Sequence, residues 1–403
     1  MARTSWGLRA LLALATFTAA SSLCDDVTAY LDVPVPLGSD TVIELDVRRV
    51  DCPALEEREN LPEVIVSGGT LTLRSDSTVR FVNFRFTVED GASLVFDMPK
   101  TQFGPNSGNR ENVGGFMIDV KEGGSVTFTG KFGGREVKNV FSMFNNAGSM
   151  DFKGDVLFQG NGNVFRSNSG TLKFRGDTIF RDNSYLAIDN IDGGYVRFSK
   201  TVTFDNNGGG FDGADGCAIE NHEPEGTVIF RGDATFSNHL CDFAGAVYNA
   251  GKMRFYGKAY FNDNRSFEDG DAGGAVVNQL GSLIFKGAAQ FNRNRADSFG
   301  GGISVEGGDV TFEKGVLFSE NTVRDTGAAF SVSFGQLRRS GEVIDSGFGT
   351  LTFDKPDVVT FRDNTVSSTV ANPSVPACTV GYVEEGATLV GYPGDDVCVD
   401  KFA

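Results

Sequence analysis

The feature that constrains this chain most is a self-similar module, G-x-[LVM]-x-F-x5-F-x-x-N, that recurs from the middle of the chain onward. Copies begin at Gly148, Gly170, Gly194, Gly226, Gly251, Gly281, Gly308 and Gly349, spaced 22 to 32 residues apart except for a last step of 41. The final copy carries a two-residue insertion containing Pro356. Within each copy the apolar residues alternate, as in Leu172, Phe174 and then Thr178, Phe180. That is the period of a strand, not of a helix. A unit of two or three short strands cannot bury its apolar face alone, so neighbouring copies must stack. Stacking puts each strand about 4.8 Å from its counterpart in the next coil, with backbone hydrogen bonds running between coils and like side chains in columns. The expected fold is all-β, a parallel β-helix.

Three columns follow from the alignment. The first is Phe152, Phe174, Phe198, Phe230, Phe255, Phe285, Phe312 and Phe353. The second is Phe158, Phe180, Phe204, Phe236, Phe261, Phe291, Phe318 and Phe361. Both are expected to stack inside the coil, each ring contributing about 1.5 to 3 kcal/mol by burial. The third is Asn161, Asn183, Asn207, Asn264, Asn294, Asn321 and Asn364, with His239 in the fourth module. It falls where the chain turns, and its amides can bond the turn backbones above and below. Asn264 also opens the sequon Asn264-Arg265-Ser266; an inward-facing amide there is expected to escape glycosylation.

Between copies runs a second apolar segment, such as Gly245-Ala246-Val247 or Gly273-Gly274-Ala275-Val276. Upstream, Gly69 to Leu73, Gly91 to Phe96 and Gly124 to Phe128 are similar to module starts and read as degenerate coils. Residues 63–371 are therefore assigned to the solenoid, with clear repeats over 114–364. Residues 25–62 are expected to cap one end and residues 372–403 the other, since bare strand edges invite other chains.

Residues 1–24 have the pattern of a secretory signal peptide: Arg3 and Arg9 around a short apolar run, then small residues. The run is too short to span a bilayer. Export fits the six cysteines, Cys24, Cys52, Cys217, Cys241, Cys378 and Cys398, which fall into three local couples read as disulfides. Zinc binding by cysteine lacks any C-x-x-C pair. The net charge of -17 argues against nucleic acid as a partner. Two histidines, His222 and His239, leave little for chemistry built on imidazole.

The paired signatures F-x-x-N and G-G-A-[IVL] resemble the polymorphic outer-membrane protein repeat family over residues 114 to 364. That resemblance implies the right-handed, pectin-lyase-like β-helix passenger of bacterial surface adhesins. The same superfold houses polysaccharide lyases and glycoside hydrolases, and fold alone does not choose between activities. The chain has no G-H-G, R-I-K or N-T-D motif of the hydrolases. A lyase-type calcium cluster would have to come from Asp182, Asp263, Glu320 and Asp363, with Arg265 or Arg295 as base; the competing reading makes these solvated turn residues.

The loops after the Asn column vary in length and are acidic. They carry Asp212, Asp215, Asp242, Glu268, Asp269, Asp271, Asp297 and Asp325. In a register-locked stack they form one rim, the usual place for recognition on a repeat scaffold. The function expected is a secreted structural or adhesive surface protein binding a matrix component, polysaccharide, cell-surface component or calcium through this rim. The alternatives are a polysaccharide lyase or hydrolase, and a rigid spacer with no ligand. No catalytic residue and no resident cofactor are assigned.

Overall fold

The computed structural model describes residues 40–45, 49–51, 63–82, 85–104, 113–135, 140–208, 217–222, 225–267, 273–339, 342–355, 358–366, 380–392 and 397–400. These residues are all strand, turn and short loop, wound into a right-handed parallel β-helix. One coil runs through three strands, for example Thr171–Phe174 on a first face, Thr178–Arg181 on a second and Ile188–Asn190 on a third. The second face is a 12-stranded parallel sheet. A short 5-stranded ladder, starting at Leu240–Cys241, is inserted between second and third faces in the later coils.

The alternation read in the sequence is what sets the inside of the prism. Strands of the first face alternate half-buried and buried residues, so Leu172 and Phe174 point inward while Thr171 and Lys173 point out. Both phenylalanine columns pair residue for residue across coils, as in Phe174 with Phe198 and Phe180 with Phe204. Rings within a column lie parallel, with centroids 4.9 Å apart for Phe174 and Phe198 and 4.8 Å for Phe180 and Phe204. Between columns the rings meet edge to face, as Phe174 and Phe180 do at 5.9 Å. Each ring therefore satisfies the offset and T-shaped preferences of its quadrupole at once. All sixteen are buried except Phe361 at the C-terminal end, which is half-buried.

The degenerate upstream coils belong to the same stack. Phe96 and Phe128 continue the first column in register with Phe152. In the second column Gly134 stands where a phenylalanine is expected, aligned with Phe103 and Phe158. Its space is taken by Met143 and by Phe132 from the same strand, whose ring packs 5.3 Å from Phe158. The helix also runs into the segments expected to cap it: Thr41–Glu44 pairs with Leu71 to Arg74, and Gly381–Glu384 with Phe330 to Val332 and with Val397–Asp400. The 41-residue step between Gly308 and Gly349 is filled by an antiparallel hairpin, Phe330–Arg339 with Glu342–Phe353, and the two glycines still pair in register.

The Asn column is an amide ladder in two stretches, Asn161 to Asn207 and Asn264 to Asn364, buried except at the terminal Asn364. Asn264 Nδ2 donates to Asn294 Oδ1 at 2.9 Å, and Asn294 and Asn321 repeat this one rung on at 3.0 Å each. Each amide also donates to the carbonyl at the second-column position of the preceding coil, as Asn294 does to Phe261 and Asn161 to Gly134. Asn264 is thus fully committed inside the stack, the placement that the unglycosylated reading requires. A second ladder, not foreseen from the sequence, closes the third face: Asn146, Asn168, Asn190, Asn221, Asn249 and Asn278, bonded Nδ2 to Oδ1 at 2.6 to 2.7 Å. The tight corner it guards excludes side chains, since a Cβ on Gly170 would strike the Gly148 carbonyl oxygen.

His239 interrupts the first ladder. It is buried, its Nδ1 lies 3.1 Å from the Asn207 backbone nitrogen, and its Nε2 has no partner. Burial, opposed by the Asn207 and Phe204 backbone contacts and by Asp205, pushes its pKa down to about 4. The unfolded chain then takes up a proton below the ordinary value of 6.5 that the folded chain refuses until about 4. Stability is full above 6.5 and falls as the pH drops through this window, by up to about 3 kcal/mol. His239→Asn is expected to remove that slope and to raise the melting temperature, measured by thermal unfolding from pH 7 to pH 4. Asn294→Ala strands the bonds of Asn264, Asn321 and Phe261 and is expected to cost about 3 to 5 kcal/mol in chemical unfolding. The exposed Arg295→Ala next to it should change stability by less than about 0.5 kcal/mol.

Candidate functional site

With the interior filled by apolar side chains and amide ladders, any chemistry has to sit on the outside. The four residues considered for calcium, Asp182, Asp263, Glu320 and Asp363, each precede a ladder Asn and adopt left-handed backbone, with φ of 53°, 57°, 55° and 52°. They share this turn position with Asn206, Asn238 and Arg293. Because the column is threaded by rungs about 4.8 Å apart, Asp182 and Asp263 are separated by the Asn206 and Asn238 rungs and do not meet. Three of the four have side-chain partners: Asn206 donates to Asp182, Arg293 holds Asp263 through two bonds of 2.7 Å, and Arg362 pairs with Asp363 at 3.1 Å. Arg265 and Arg295 stack directly over one another and are exposed.

Of the rim acids, Asp212, Asp215, Glu268, Asp269 and Asp271 lie outside the described residues. Asp242 is buried just past the short ladder, and Asp297 and Asp325 are half-buried beyond it. Asp325 is 3.4 Å from Arg324, whose strand neighbour Val323 pairs with Ala296. The described part of this edge is therefore mixed in charge. Cys217 and Cys241 form a disulfide that ties the start of one third-face strand to the short ladder of the next coil. Cys24, Cys52 and Cys378 lie outside the described residues; Cys398 stands on the strand Val397–Asp400.

A polar row that the sequence reading missed runs along the outside of the third face. Its strands have buried residues on both sides, unlike those of the first two faces. At the outward middle position, Asp189, Glu220 and Tyr248 occupy successive rungs in register. Farther along, Tyr248 Oη donates to Gln279 Oε1 at 2.8 Å, Gln279 donates to Glu306, and Ser304 and Ser331 continue the chain. At the other end Asp119 accepts from Asn145 at 2.8 Å and pairs with Lys121 at 2.7 Å. The signal in the sequence was a repeated [IV]-x-N, as in Ile188-Asp189-Asn190 and Ile219-Glu220-Asn221.

The densest chemistry in this row is a cluster of two carboxylates and one imidazole. His222, the residue after the strand Ile219–Asn221, brings Nε2 to 3.1 Å from Asp189 Oδ1 and 3.4 Å from Glu220 Oε2. Among the described residues this is the one group of three His, Cys, Asp or Glu side chains with ligand atoms all within 4.8 Å. Burial, reinforced by the neighbouring Glu220, raises the Asp189 pKa against the pull of His222. For His222, burial works to lower the pKa, but contact with the Asp189 and Glu220 carboxylates outweighs it and pushes the value up to about 10. The side chain of His222 is still 35% exposed, so solvent reaches the cluster. The ring of Tyr248 lies 5.9 Å from the imidazole and forms one wall.

Compared with protein-family models, curated proteins and solved structures, the chain matches none. No helix among the described residues is long and apolar enough to cross a membrane.

The cluster makes a direct prediction. His222→Ala leaves Asp189 and Glu220 facing each other in adjacent rungs with their shared cation gone. The variant is expected to lose about 1 kcal/mol at pH 7, the scale for a partly exposed pair. Because the folded pKa of His222 lies above its ordinary value of 6.5, the loss should be full below pH 6.5 and shrink as the pH rises toward 10, checked by unfolding both proteins at pH 6, 7 and 10.

Proposed function

We propose that the chain is an exported β-helix surface protein of the structural or adhesive kind, similar in design to the passengers of polymorphic outer-membrane repeat proteins. It binds an extracellular partner through the loops that leave the stack after the Asn ladder. The observation that carries this reading is the division of labour along each coil. The two Phe columns and the Asn position hold their spacing through the first seven modules, with His239 replacing Asn in the fourth, while the segments after them vary freely in length and concentrate acid. A scaffold with invariant walls and variable loops is built for contact. The Cys217–Cys241 disulfide supports export, since such bonds persist in oxidising compartments. With a net charge of -17, the partner is a cationic matrix or cell-surface component, or a polysaccharide engaged through calcium.

The test is an array of matrix proteins, polysaccharides and cell-surface glycans probed with the purified protein. A variant with Glu268, Asp269, Asp271 and Asp297 changed to Lys is expected to bind its partner at least about tenfold more weakly, a loss of about 1.4 kcal/mol, with its melting temperature little changed. Undiminished binding by this variant would remove the rim from the account. Appearance of new reducing ends or unsaturated sugars in the polysaccharide wells would favour the lyase or hydrolase alternative.

A further inference from the structure

We infer that Asp189, Glu220 and His222 form a binding site for a divalent metal ion of the zinc type on the outer wall of the solenoid. The site is separate from the acidic loops and stands whether or not they bind a partner. Its geometry is the argument. Ligands at the corners of a tetrahedron with bonds of about 2 Å are roughly 3.3 Å apart. The Nε2 of His222 is already 3.1 Å and 3.4 Å from one oxygen of each carboxylate. No large rearrangement separates the present ion pair from a three-ligand metal site. One nitrogen and two carboxylate oxygens suit zinc and its neighbours better than calcium, which takes six to eight oxygens. Three protein ligands leave the fourth position to water, and the exposed edge of His222 gives the ion its way in.

The cross-strand registration makes the site rigid. Asp189 and Glu220 are direct partners on neighbouring strands. Just inside them, Asn190 donates to Asn221 at 2.7 Å, fixing both strands at the residue next to each carboxylate. Ligand-bearing side chains thus start from anchored backbone, and the ion adds a clamp between two coils. Binding exchanges one proton on the imidazole for one metal ion, so the proton leaves to solvent as the nitrogen lone pair goes to the metal.

The chain has only two histidines, which makes the test direct. Purified protein, stripped with chelator, is labelled with 15N at histidine and titrated with ZnCl2 in excess Ca2+, which occupies sites made of oxygen alone. One equivalent of Zn2+ is expected to shift the His222 imidazole signals and leave those of the buried His239 in place. Glu220→Gln and His222→Gln are each expected to weaken uptake, measured by calorimetry, by at least about tenfold. Unmoved His222 signals would overturn the inference, even if zinc bound elsewhere. So would uptake that His222→Gln leaves intact, or uptake abolished by Ca2+.

Discussion

Everything in this structure depends on one condition, that successive coils stay in register to the residue. A parallel ladder shifted by one residue would turn every phenylalanine of a strand from the interior to the solvent. Backbone hydrogen bonds alone do not prevent such a slip, because they look alike at every step. The two asparagine ladders do. Each amide must find the amide of the next coil and, in the first ladder, one particular carbonyl below it. Displaced by one residue, those groups would be buried without partners, at a cost of about 1 to 3 kcal/mol each. Burial of the phenylalanine columns and the aliphatic residues beside them drives the stacking, and asparagine makes its register specific.

The two kinds of column are also spatially coupled. The amides of the first ladder bond the carbonyls of the second phenylalanine column, so ring and amide positions are set together. The prism becomes stiff, and its outer wall inherits the stiffness. Outward positions on the third face fall in a straight row because the residues beside them are tied rung to rung. Asp189 and Glu220, distant in sequence, become neighbours for that reason alone.

What could be read from the sequence follows from which spacings are constant. The run from glycine to the first phenylalanine, the second and the asparagine barely changes between modules, so both aromatic columns and the first amide ladder were legible. The second ladder was not. Asn146, Asn168 and Asn249 stand two residues before their glycine, but Asn190, Asn221 and Asn278 stand farther off. The turn absorbs the difference, and alignment on glycine scatters the column. The cluster of Asp189, Glu220 and His222 was hidden for a related reason: the length of the intervening loop conceals that one coil separates the carboxylates. Counting histidines discouraged imidazole chemistry, yet one of the two sits between them. The turn acids Asp182, Asp263, Glu320 and Asp363 show the opposite effect. Their shared place before a ladder asparagine was visible, but it spreads Asp182, Asp263 and Glu320 over rungs that do not adjoin, and brings only Glu320 and Asp363 onto neighbouring ones.

The amide bonds of both ladders run in a single sense. From Asn146 to Asn278, and from Asn264 to Asn364, each Nδ2 donates to the coil that follows it in the chain. Their dipoles add instead of cancelling, and chains of such bonds polarise one another. Each ladder is therefore a vector with distinguishable ends, and Asn146 Oδ1 is the acceptor left over where the second ladder meets the coil of Val120. Further coils roof both ends of the second ladder, at Val120 and at Val305, so its polarity stays inside the prism and presents no open row of amides at either end.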